Sequence, residues 1–185
     1  VMDYTESFSE DVVDNFVGMY AKGLTPNPCV ECNRSVKFDH FLTQAKKLNC
    51  EKVATGHYAK IINNDNTYEL HKADYLDKDQ SYVLHMLTSK KLEYIEFPLG
   101  TISKPEVRQI AAELGLKTAF KKDSQDICFV GKKDYRNFVN TRVDISSSGE
   151  IVDNNGKKIG EHNGVHEFTV GQRKGLPGGQ GEAKY

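Results

Sequence analysis

The amino-acid sequence predicts an α/β protein in which a mainly parallel-sheet domain, residues 1–131, precedes a small β-rich domain, residues 132–185. Up to about residue 116, short apolar runs typical of strands alternate with stretches whose apolar residues recur at helical spacing. Beyond Lys132, short strand patterns and glycine-containing turns replace them. The charged fraction of 28% and the hydrophobic fraction of 38% are those of an ordinary globular chain.

The first predicted helix follows a segment, Val1–Tyr4, that has the pattern of a strand end. Ser7 and Glu10 form the S-x-x-E pattern of a capping box, and Gly23 is expected to end the helix. The apolar stripe of this helix consists of Val13, Phe16, Val17 and Tyr20.

The segment Thr25–Phe38 carries two cysteines, Cys29 and Cys32, in a CxxC pattern. Its two prolines favour extended or turn backbone, and Asn33 is expected to cap the helix that follows. A thiol just before a helix N-terminus has its pKa lowered from about 8.5, because it lies at the positive end of the helix dipole. From the CxxC pattern alone, a zinc half-site and a structural dithiol are competing interpretations.

A short buried strand is predicted at Lys52–Thr55, and it ends in Gly56 and His57. Open α/β sheets bind ligands at the carboxyl ends of their strands, where a glycine lets the ligand approach the backbone. From the Gly-His pair alone, His57 is interpreted as a structural side chain that does not bind a ligand. Cys50, just before the strand, is expected to be a small buried filler.

Two further helices and a hairpin are predicted before residue 116. Ile61–Ile62 and Tyr68–Leu70 form the hairpin around an Asn63–Asn66 turn. Lys78–Ser81 opens a helix, and Ser103 with Glu106 caps another that ends at Gly115. The apolar faces of these two helices consist of Val83, Leu84 and Leu87 in the first, and Val107, Ile110, Ala111 and Leu114 in the second.

Cys128 lies among apolar neighbours after the basic pair Lys121 and Lys122. As an isolated cysteine it is expected to be buried and inert. The elements predicted beyond it are a helix at Tyr135–Val139, a hairpin from Ile151 to Ile159 that turns at Asn154–Gly156, and a short strand at Phe168–Val170.

The composition limits the function. Four cysteines without a regular framework indicate a reducing compartment, so a cytoplasmic location is expected. A net charge of −1 argues against general coating of nucleic acid, so an RNA site must be a local patch. No apolar run approaches the roughly 18 residues that span a membrane, so a membrane partner is not expected.

The chain resembles the tRNA-specific 2-thiouridylases, the MnmA/TrmU family. The resemblance begins in TPNPCVECNRSVKF, where the family pattern NPxxxCNxxxKF leads into a helix. It continues in the same order through ATGHYAK, KDQSYVL, FPLG, KPEVRQIAAELGL, KDSQDICF and TVGQRKGL. The ICF and GQRKGL segments make it specific.

The resemblance implies that the first domain is the C-terminal part of a PP-loop domain, of the adenine nucleotide α hydrolase-like class. It implies that the second is a small central tRNA-binding domain. Family members open with an SGGxDS-type loop that grips the pyrophosphate of ATP, and they continue into a C-terminal β-barrel. Because neither segment occurs in these residues, we expect the chain to be a fragment that is inactive by itself.

The function implied is that of a tRNA 2-thiouridylase acting on wobble uridines. ATP with Mg²⁺ would adenylate O2 of the uridine, and sulfur from a donor protein, a desulfurase or a sulfur relay, would then reach C2. By resemblance, Cys32 is the nucleophile, Cys128 carries the persulfide and Gly56 contacts ATP. The residues that resemblance assigns to tRNA are Asn27, Pro28, Cys29, His57, Lys78, Asp79, Gln80, Arg173 and Lys174.

Two alternatives stay open at this point. Many family members carry Asp where this chain has Cys29. Cys29, Cys32 and Cys128 could therefore be the three thiolate ligands of a four-iron four-sulfur cluster with one open iron. The other alternative is a nucleic-acid-binding module stabilised by zinc, in which the CxxC pair forms half of the metal site.

Overall fold

The computed structural model describes residues 1–123, 126–131, 134–144, 147–172 and 175–177. These residues form two compact units. One comprises Val1–Asp11 and Cys29–Gln125, and the other comprises Val12–Pro28 and Asp126–Tyr185. The division into domains at residues 131 and 132 stays a prediction.

The α-helices are α1 (Thr5–Phe8), α2 (Asn15–Ala21), α3 (Pro28–Cys32), α4 (Phe41–Lys47), α5 (Ser89–Leu92), α6 (Lys104–Glu113) and α7 (Tyr135–Asn140). Stretches of π-helix occur at Ser9–Asp14 and Asn33–His40, and 3₁₀ turns at Leu76–Lys78, Ser81–Val83 and Val165–Glu167. The strands are β1 (Val53–Ala54), β2 (Ala59–Asn64), β3 (Thr67–Lys72), β4 (Ile95–Glu96), β5 (Gly149–Val152) and β6 (Lys158–His162).

The first helical segment begins earlier than predicted. Asp3 accepts hydrogen bonds from the backbone N–H of Thr5 at 2.8 Å and from its hydroxyl at 2.6 Å, so helical structure starts at Thr5. The predicted start at the Ser7 capping box is therefore wrong, and Val1–Tyr4 is not a strand. The predicted end is confirmed, because Gly23 adopts a left-handed φ of 72° beyond α2.

The second helical segment also begins before its predicted cap. Pro28 is the first residue of α3, a position where its missing N–H costs nothing. Asn33 is consequently inside the helical segment and only 2% exposed, so the prediction that it caps the helix is wrong. The segment continues through the π-helical stretch into α4.

A parallel pair of strands lies in the first unit, as an α/β domain requires. Val53 pairs with Ile95 and Ala54 with Glu96, which joins β1 to β4. The side chains of Val53 and Ile95 are buried. The sequence did not reveal β4, because two residues are too few for a periodic pattern.

The predicted hairpin is confirmed as β2 and β3, which pair from Ala59 with Lys72 to Asn64 with Thr67. Its turn is tighter than predicted, with Asp65 and Asn66 at φ values of 47° and 65°. Both central residues are thus left-handed, the conformation that a two-residue hairpin turn needs.

Gly100 lies against the start of β2. A Cβ atom at Gly100 would be 2.1 Å from the carbonyl oxygen of Ala59. The Gly100 carbonyl oxygen accepts a hydrogen bond from the backbone N–H of Asp74 at 2.9 Å. A glycine is therefore required at this point of backbone contact.

The helix predicted from Lys78 to Leu87 is wrong. The segment instead contains the two 3₁₀ turns between Leu76 and Val83, because its side chains bond to distant backbone groups that compete with helix formation. The predicted burial is confirmed, since Val83, Leu84 and Leu87 join Phe38, Ala59, Leu92, Ile95 and Phe97 in the core of this unit.

Helix α6 begins with the predicted capping box, in which Ser103 and Glu106 satisfy each other's backbone N–H groups. Gly115 has a φ of 67° after the helix end, also as predicted. The predicted inner face is wrong, because no residue of α6 is buried and Ile110 is 46% exposed. An apolar stripe shows which residues share a face but not that the face is covered.

The second unit has a core of Phe16, Val17, Tyr20, Val130 and Val139. Helix α7 and the hairpin of β5 and β6 confirm the predictions for this region. The strand predicted at Phe168–Val170 is wrong. Two of the backbone N–H groups there bond to side chains, that of Thr169 to Gln172 at 3.1 Å and that of Val170 to Thr25 at 3.1 Å, and that of Phe168 bonds to the carbonyl oxygen of Val165 at 3.3 Å.

Among the described residues, no helix combines the length and the apolar character that crossing a membrane requires.

Candidate functional site

The two cysteines of the CxxC pattern lie one helical turn apart. Cys29 is exposed and Cys32 is partly buried at the end of α3. Residues three apart share a helix face, so both thiols lie on the same side of the helix. The expectation that these thiols lie just before a helix N-terminus is wrong, because both cysteines lie within α3, and the dipole argument for Cys32 loses its basis.

The helical segment that carries Cys32 is fixed to the core through its neighbours. The side-chain amide of Asn33 donates a hydrogen bond to the carbonyl oxygen of Val83 at 3.0 Å. Val30, also in α3, packs against the core cluster that contains Val83. The cysteine-bearing turn is thereby held against the segment that contains Lys78, Asp79 and Gln80.

Gly56 follows β1 at its carboxyl end, where the sequence predicted a ligand. The backbone N–H of Thr55 still bonds to the carbonyl oxygen of Glu96 at 3.1 Å, so Gly56 is the first residue beyond the strand pairing. A Cβ atom on Gly56 would meet only Leu99, at 3.7 Å, which is an ordinary contact. Internal packing does not require this glycine.

His57 is a buried side chain, 8% exposed. Its Nδ1 is 2.8 Å from the hydroxyl of Thr55, and its ring centroid is 6.0 Å from that of Phe38 and 5.8 Å from that of Phe97. Burial, with a smaller contribution from Lys37, lowers the pKa of His57 to about 4. At neutral pH it carries no charge with which to attract a phosphate, and its contact with tRNA stays a prediction.

The side chains of Asp79 and Gln80 are bonded within the protein. Asp79 accepts hydrogen bonds from the backbone N–H of Ala73 at 2.8 Å and from the hydroxyl of Ser81 at 2.7 Å. Gln80 and Tyr58 exchange two bonds: the Tyr58 N–H donates to Oε1 of Gln80 at 3.1 Å, and the Gln80 N–H donates to the Tyr58 carbonyl at 2.8 Å. Both residues therefore hold the shape of this segment, and their tRNA contacts stay predictions.

Lys78 belongs to a cluster of three cations around one carboxylate. Asp123 lies 2.9 Å from Nζ of Lys78, 3.1 Å from Nζ of Lys104 and 3.9 Å from the guanidinium of Arg108. Hydrogen bonds from Lys78 and Lys104 lower the pKa of Asp123 to about 2. Asp123 is therefore ionised throughout the neutral range.

The predicted residues Gly56, Lys78, Asp79 and Gln80 line one open cavity of about 500 Å³. Its other lining residues are Tyr58, Asp77, Tyr82, Lys104 and Asp123. Tyr58 is 5% exposed, and among the described residues its hydroxyl has no hydrogen-bond partner.

No sequence pattern predicted four of these residues as site residues, namely Tyr58, Lys104, Arg108 and Asp123. The only local signal was the i, i+4 spacing of Lys104 and Arg108, which places the two cations on one face of a helix. Asp123 has no such signal, because its partners come from segments distant in sequence.

Two further expectations concerning cysteines are wrong. Cys50 and Cys128 are both exposed rather than buried. For Cys128, the neighbours Ile127 and Phe129 pack against the core of the second unit, while Cys128 itself is exposed.

The remaining predicted tRNA residues have different surroundings. In the second unit, Asn27 is exposed and Pro28 is buried. Arg173 and Lys174 lie outside the described residues. The basic pair Lys121 and Lys122 is exposed.

In the part of the chain that the structure describes, no group of three or more His, Cys, Asp or Glu side chains is placed to hold a metal ion. The iron–sulfur cluster on Cys29, Cys32 and Cys128 joins residues of the two compact units, and it stays a prediction. The zinc site at the CxxC pair also stays a prediction.

Comparison with known proteins agrees with this architecture. Residues 1–132 match the family model described as the tRNA methyl transferase HUP domain, and residues 136–185 match the tRNA methyl transferase PRC-barrel domain. The two matched domains confirm the predicted fold class, a PP-loop-like α/β domain followed by a small β-rich domain.

Curated relatives named tRNA-specific 2-thiouridylase MnmA are similar along almost the whole chain. The protein of Rickettsia peacockii (strain Rustic) is 48% identical over 177 residues, and that of Rickettsia bellii (strain OSU 85-389) is 49% identical over 177 residues. Each alignment covers 95% of this chain and 48% of the relative, so the chain spans about half the length of the curated relatives it matches. These matches confirm the resemblance to the 2-thiouridylases, and the chain belongs to the family that the HUP-domain and PRC-barrel models describe.

Proposed function

We propose that this chain forms part of a tRNA 2-sulfurtransferase that converts wobble uridine to 2-thiouridine. The observation that carries the proposal is the bond from Asn33 to Val83, which joins the cysteine-bearing helix to the segment of the cation-lined cavity. The Cys32 thiol and a group of cations able to attract phosphate thus lie in one compact unit. The names of the relatives support tRNA as the substrate.

In the first step, O2 of the uridine attacks the α-phosphorus of ATP and pyrophosphate leaves; bound Mg²⁺ would offset the charge of the phosphates. The oxygen, a poor leaving group, becomes part of AMP. Gly56 supports a nucleotide site here for two reasons. It lies just beyond the carboxyl end of β1, and internal packing would tolerate a side chain at this position, so packing does not explain why the residue is a glycine.

In the second step, the terminal sulfur of a persulfide on Cys128 attacks C2 of the uridine and AMP leaves. The Cys32 thiolate attacks Sγ of Cys128, which breaks the S–S bond of the persulfide and leaves its outer sulfur on the base. The product on the protein is a Cys32–Cys128 disulfide, which an external thiol must reduce. The exposure of Cys128 supports its loading by a sulfur-donor protein.

The same chemistry supports a cytoplasmic location. Persulfide transfer requires reduced cysteines, and the cytoplasm keeps thiols reduced. No described observation favours the zinc-stabilised binding module over this enzyme.

The test uses the full-length protein with ATP, tRNA and a sulfur donor, and it follows 2-thiouridine in digested tRNA by mass spectrometry. Cys32→Ser and Cys128→Ser should each abolish the product, while Cys50→Ser, also at an exposed cysteine, should leave it largely intact. Full activity of Cys128→Ser would overturn the persulfide assignment. A methylated uridine in place of the thiolated one would favour the activity named in the family model.

A further inference from the structure

The cluster of Lys78, Lys104, Arg108 and Asp123 brings together side chains from separate segments. Lys104 and Arg108 come from α6, Lys78 from the 3₁₀ turn that begins at Leu76, and Asp123 from the chain beyond α6. The three cations converge on the one carboxylate. An anion with more oxygens would be bound by the same geometry.

Stabilisation of the fold does not account for this cluster. The side chains of Lys78, Lys104 and Arg108 are 39%, 26% and 43% exposed, and ion pairs at such exposure contribute little to stability. The cluster also lies at a cavity, where solvent or a ligand has access to Lys78, Lys104 and Asp123.

Among the described residues, one buried donor at the cavity and one in the cluster lack a partner. Among the described residues, neither the Tyr58 hydroxyl nor Nε of Arg108 makes a hydrogen bond. Nζ of Lys104 is 5.6 Å from the centroid of the Tyr58 ring, so the hydroxyl-bearing ring adjoins the cation cluster. Unsatisfied buried donors are costly, and an anion larger than a carboxylate could satisfy them.

The charges of the cluster and of the adjoining cavity, taken together, are balanced only while Asp123 is present. The cavity is lined by the carboxylates Asp77, Asp79 and Asp123 and by the cations Lys78 and Lys104, and Arg108 adds a third cation 3.9 Å from Asp123. The Asp79 carboxylate is already bonded to Ala73 and Ser81. Moving Asp123 away would leave a net positive site.

We propose that Lys78, Lys104 and Arg108 form a phosphate-binding site that Asp123 occupies as an internal competitor, and that a substrate phosphate displaces Asp123. This inference rests on the proposed function, in which both tRNA and ATP present phosphates. Because Asp123 is covalently held in place, a single inorganic phosphate competes poorly with it. A phosphate tethered to a substrate bound elsewhere on the protein competes well.

The test compares Asp123→Asn with wild-type full-length protein in binding titrations against tRNA, ATP and inorganic phosphate. Asp65→Asn, at the hairpin turn, is the matched control, since it makes the same change of charge away from the cluster. Asp123→Asn should bind the displacing substrate about threefold more tightly. If that substrate is tRNA, the slope of log K against log salt should steepen by about one unit. Tighter ATP binding instead would identify the nucleotide as the source of the phosphate.

An equal affinity of Asp123→Asn and Asp65→Asn for both tRNA and ATP would overturn the inference while leaving the proposed function intact. Absence of tRNA binding by the wild-type protein would contradict the proposed function instead. If Asp123→Asn does not fold, Lys104→Ala and Arg108→Ala replace it, with Lys90→Ala as the control. Each should weaken binding of the same substrate about threefold, and unchanged affinity in both would also overturn the inference.

Discussion

The side-chain amide of Asn33 donates a hydrogen bond to the carbonyl oxygen of Val83 at 3.0 Å, between two residues that are 2% and 4% exposed. Asn33 follows Cys32 directly, and Val83 ends the second 3₁₀ turn after Lys78. This bond therefore fixes the position of the cysteine-bearing turn relative to the cavity segment.

Replacing Asn33 with Ala should destabilise the protein by about 1–3 kcal/mol, because the buried carbonyl of Val83 loses its donor. Urea unfolding measures the loss. Asn64→Ala is the control, since the Asn64 side chain bonds to Glu69 at the surface and its removal should change the free energy of unfolding by less than about 0.5 kcal/mol. Equal losses of unfolding free energy in the two variants would mean that the buried hydrogen bond contributes no more to stability than the surface bond.

Stability should fall in acid because of His57. Its pKa is 6.5 in the unfolded chain and about 4 in the folded protein, so the unfolded state binds the extra proton between these values. The contribution of neutral, buried His57 to the free energy of unfolding is complete above pH 6.5. It is lost as the pH falls towards 4, and the total loss is on the order of 3 kcal/mol.

Urea unfolding at several pH values between 4 and 7.5 checks this for wild type, His57→Gln and His71→Gln. The slope of the free energy of unfolding against pH should be shallower in His57→Gln, because this variant has no buried imidazole at position 57. His71→Gln, on the exposed hairpin, is the control for the substitution itself. A slope unchanged by His57→Gln would contradict the assigned pKa.

Cys29→Asp separates the persulfide mechanism from the cluster alternative. A persulfide enzyme should keep its thiolation activity, because Cys29 takes no part in the transfer from Cys128 to the base. A cluster enzyme should lose activity together with its iron, because one of three thiolate ligands is gone. Iron and labile sulfide in anaerobically purified protein provide the second measurement, and iron-dependent activity in wild type would contradict the persulfide proposal.

Binding of tRNA should depend on salt through Lys78 and Arg173. If each contacts a phosphate, the double variant Lys78→Ala/Arg173→Ala should bind more weakly, and its log–log salt dependence should be shallower by about two units. Lys72→Ala on the hairpin serves as the control for a lost surface charge. An unchanged affinity in the double variant would show that the predicted RNA face is wrong.

Local features of the fold could be predicted because their causes are local. The capping box of Ser103 and Glu106 and the left-handed Gly23 each depend on a few neighbouring residues. The hairpin of β2 and β3 was equally visible, since its turn residues Asp65 and Asn66 tolerate a positive φ.

Features that depend on distant partners were not predictable. No residue near Asn33 in the sequence indicates that the carbonyl oxygen of Val83 will accept a hydrogen bond from its side chain. A polar residue just before an apolar helical stripe is typical of a helix cap, so the sequence predicted a cap. The segment after Lys78 has helical spacing, yet Ala73 and Tyr58 bind the side chains of Asp79 and Gln80 in another conformation. The Asp123 cluster is a third case, because its cations come from two other segments.

The contact of Gly100 with β2 bears on how this protein can change by mutation. Every missense change of a glycine codon adds at least a Cβ atom, and that atom would lie 2.1 Å from the Ala59 carbonyl oxygen. No side-chain rotation relieves a collision with the backbone, so the turn at Gly100 or the strand itself would have to move. We therefore expect every substitution at position 100 to disrupt the fold. A library randomised at this position should yield only glycine among its folded variants.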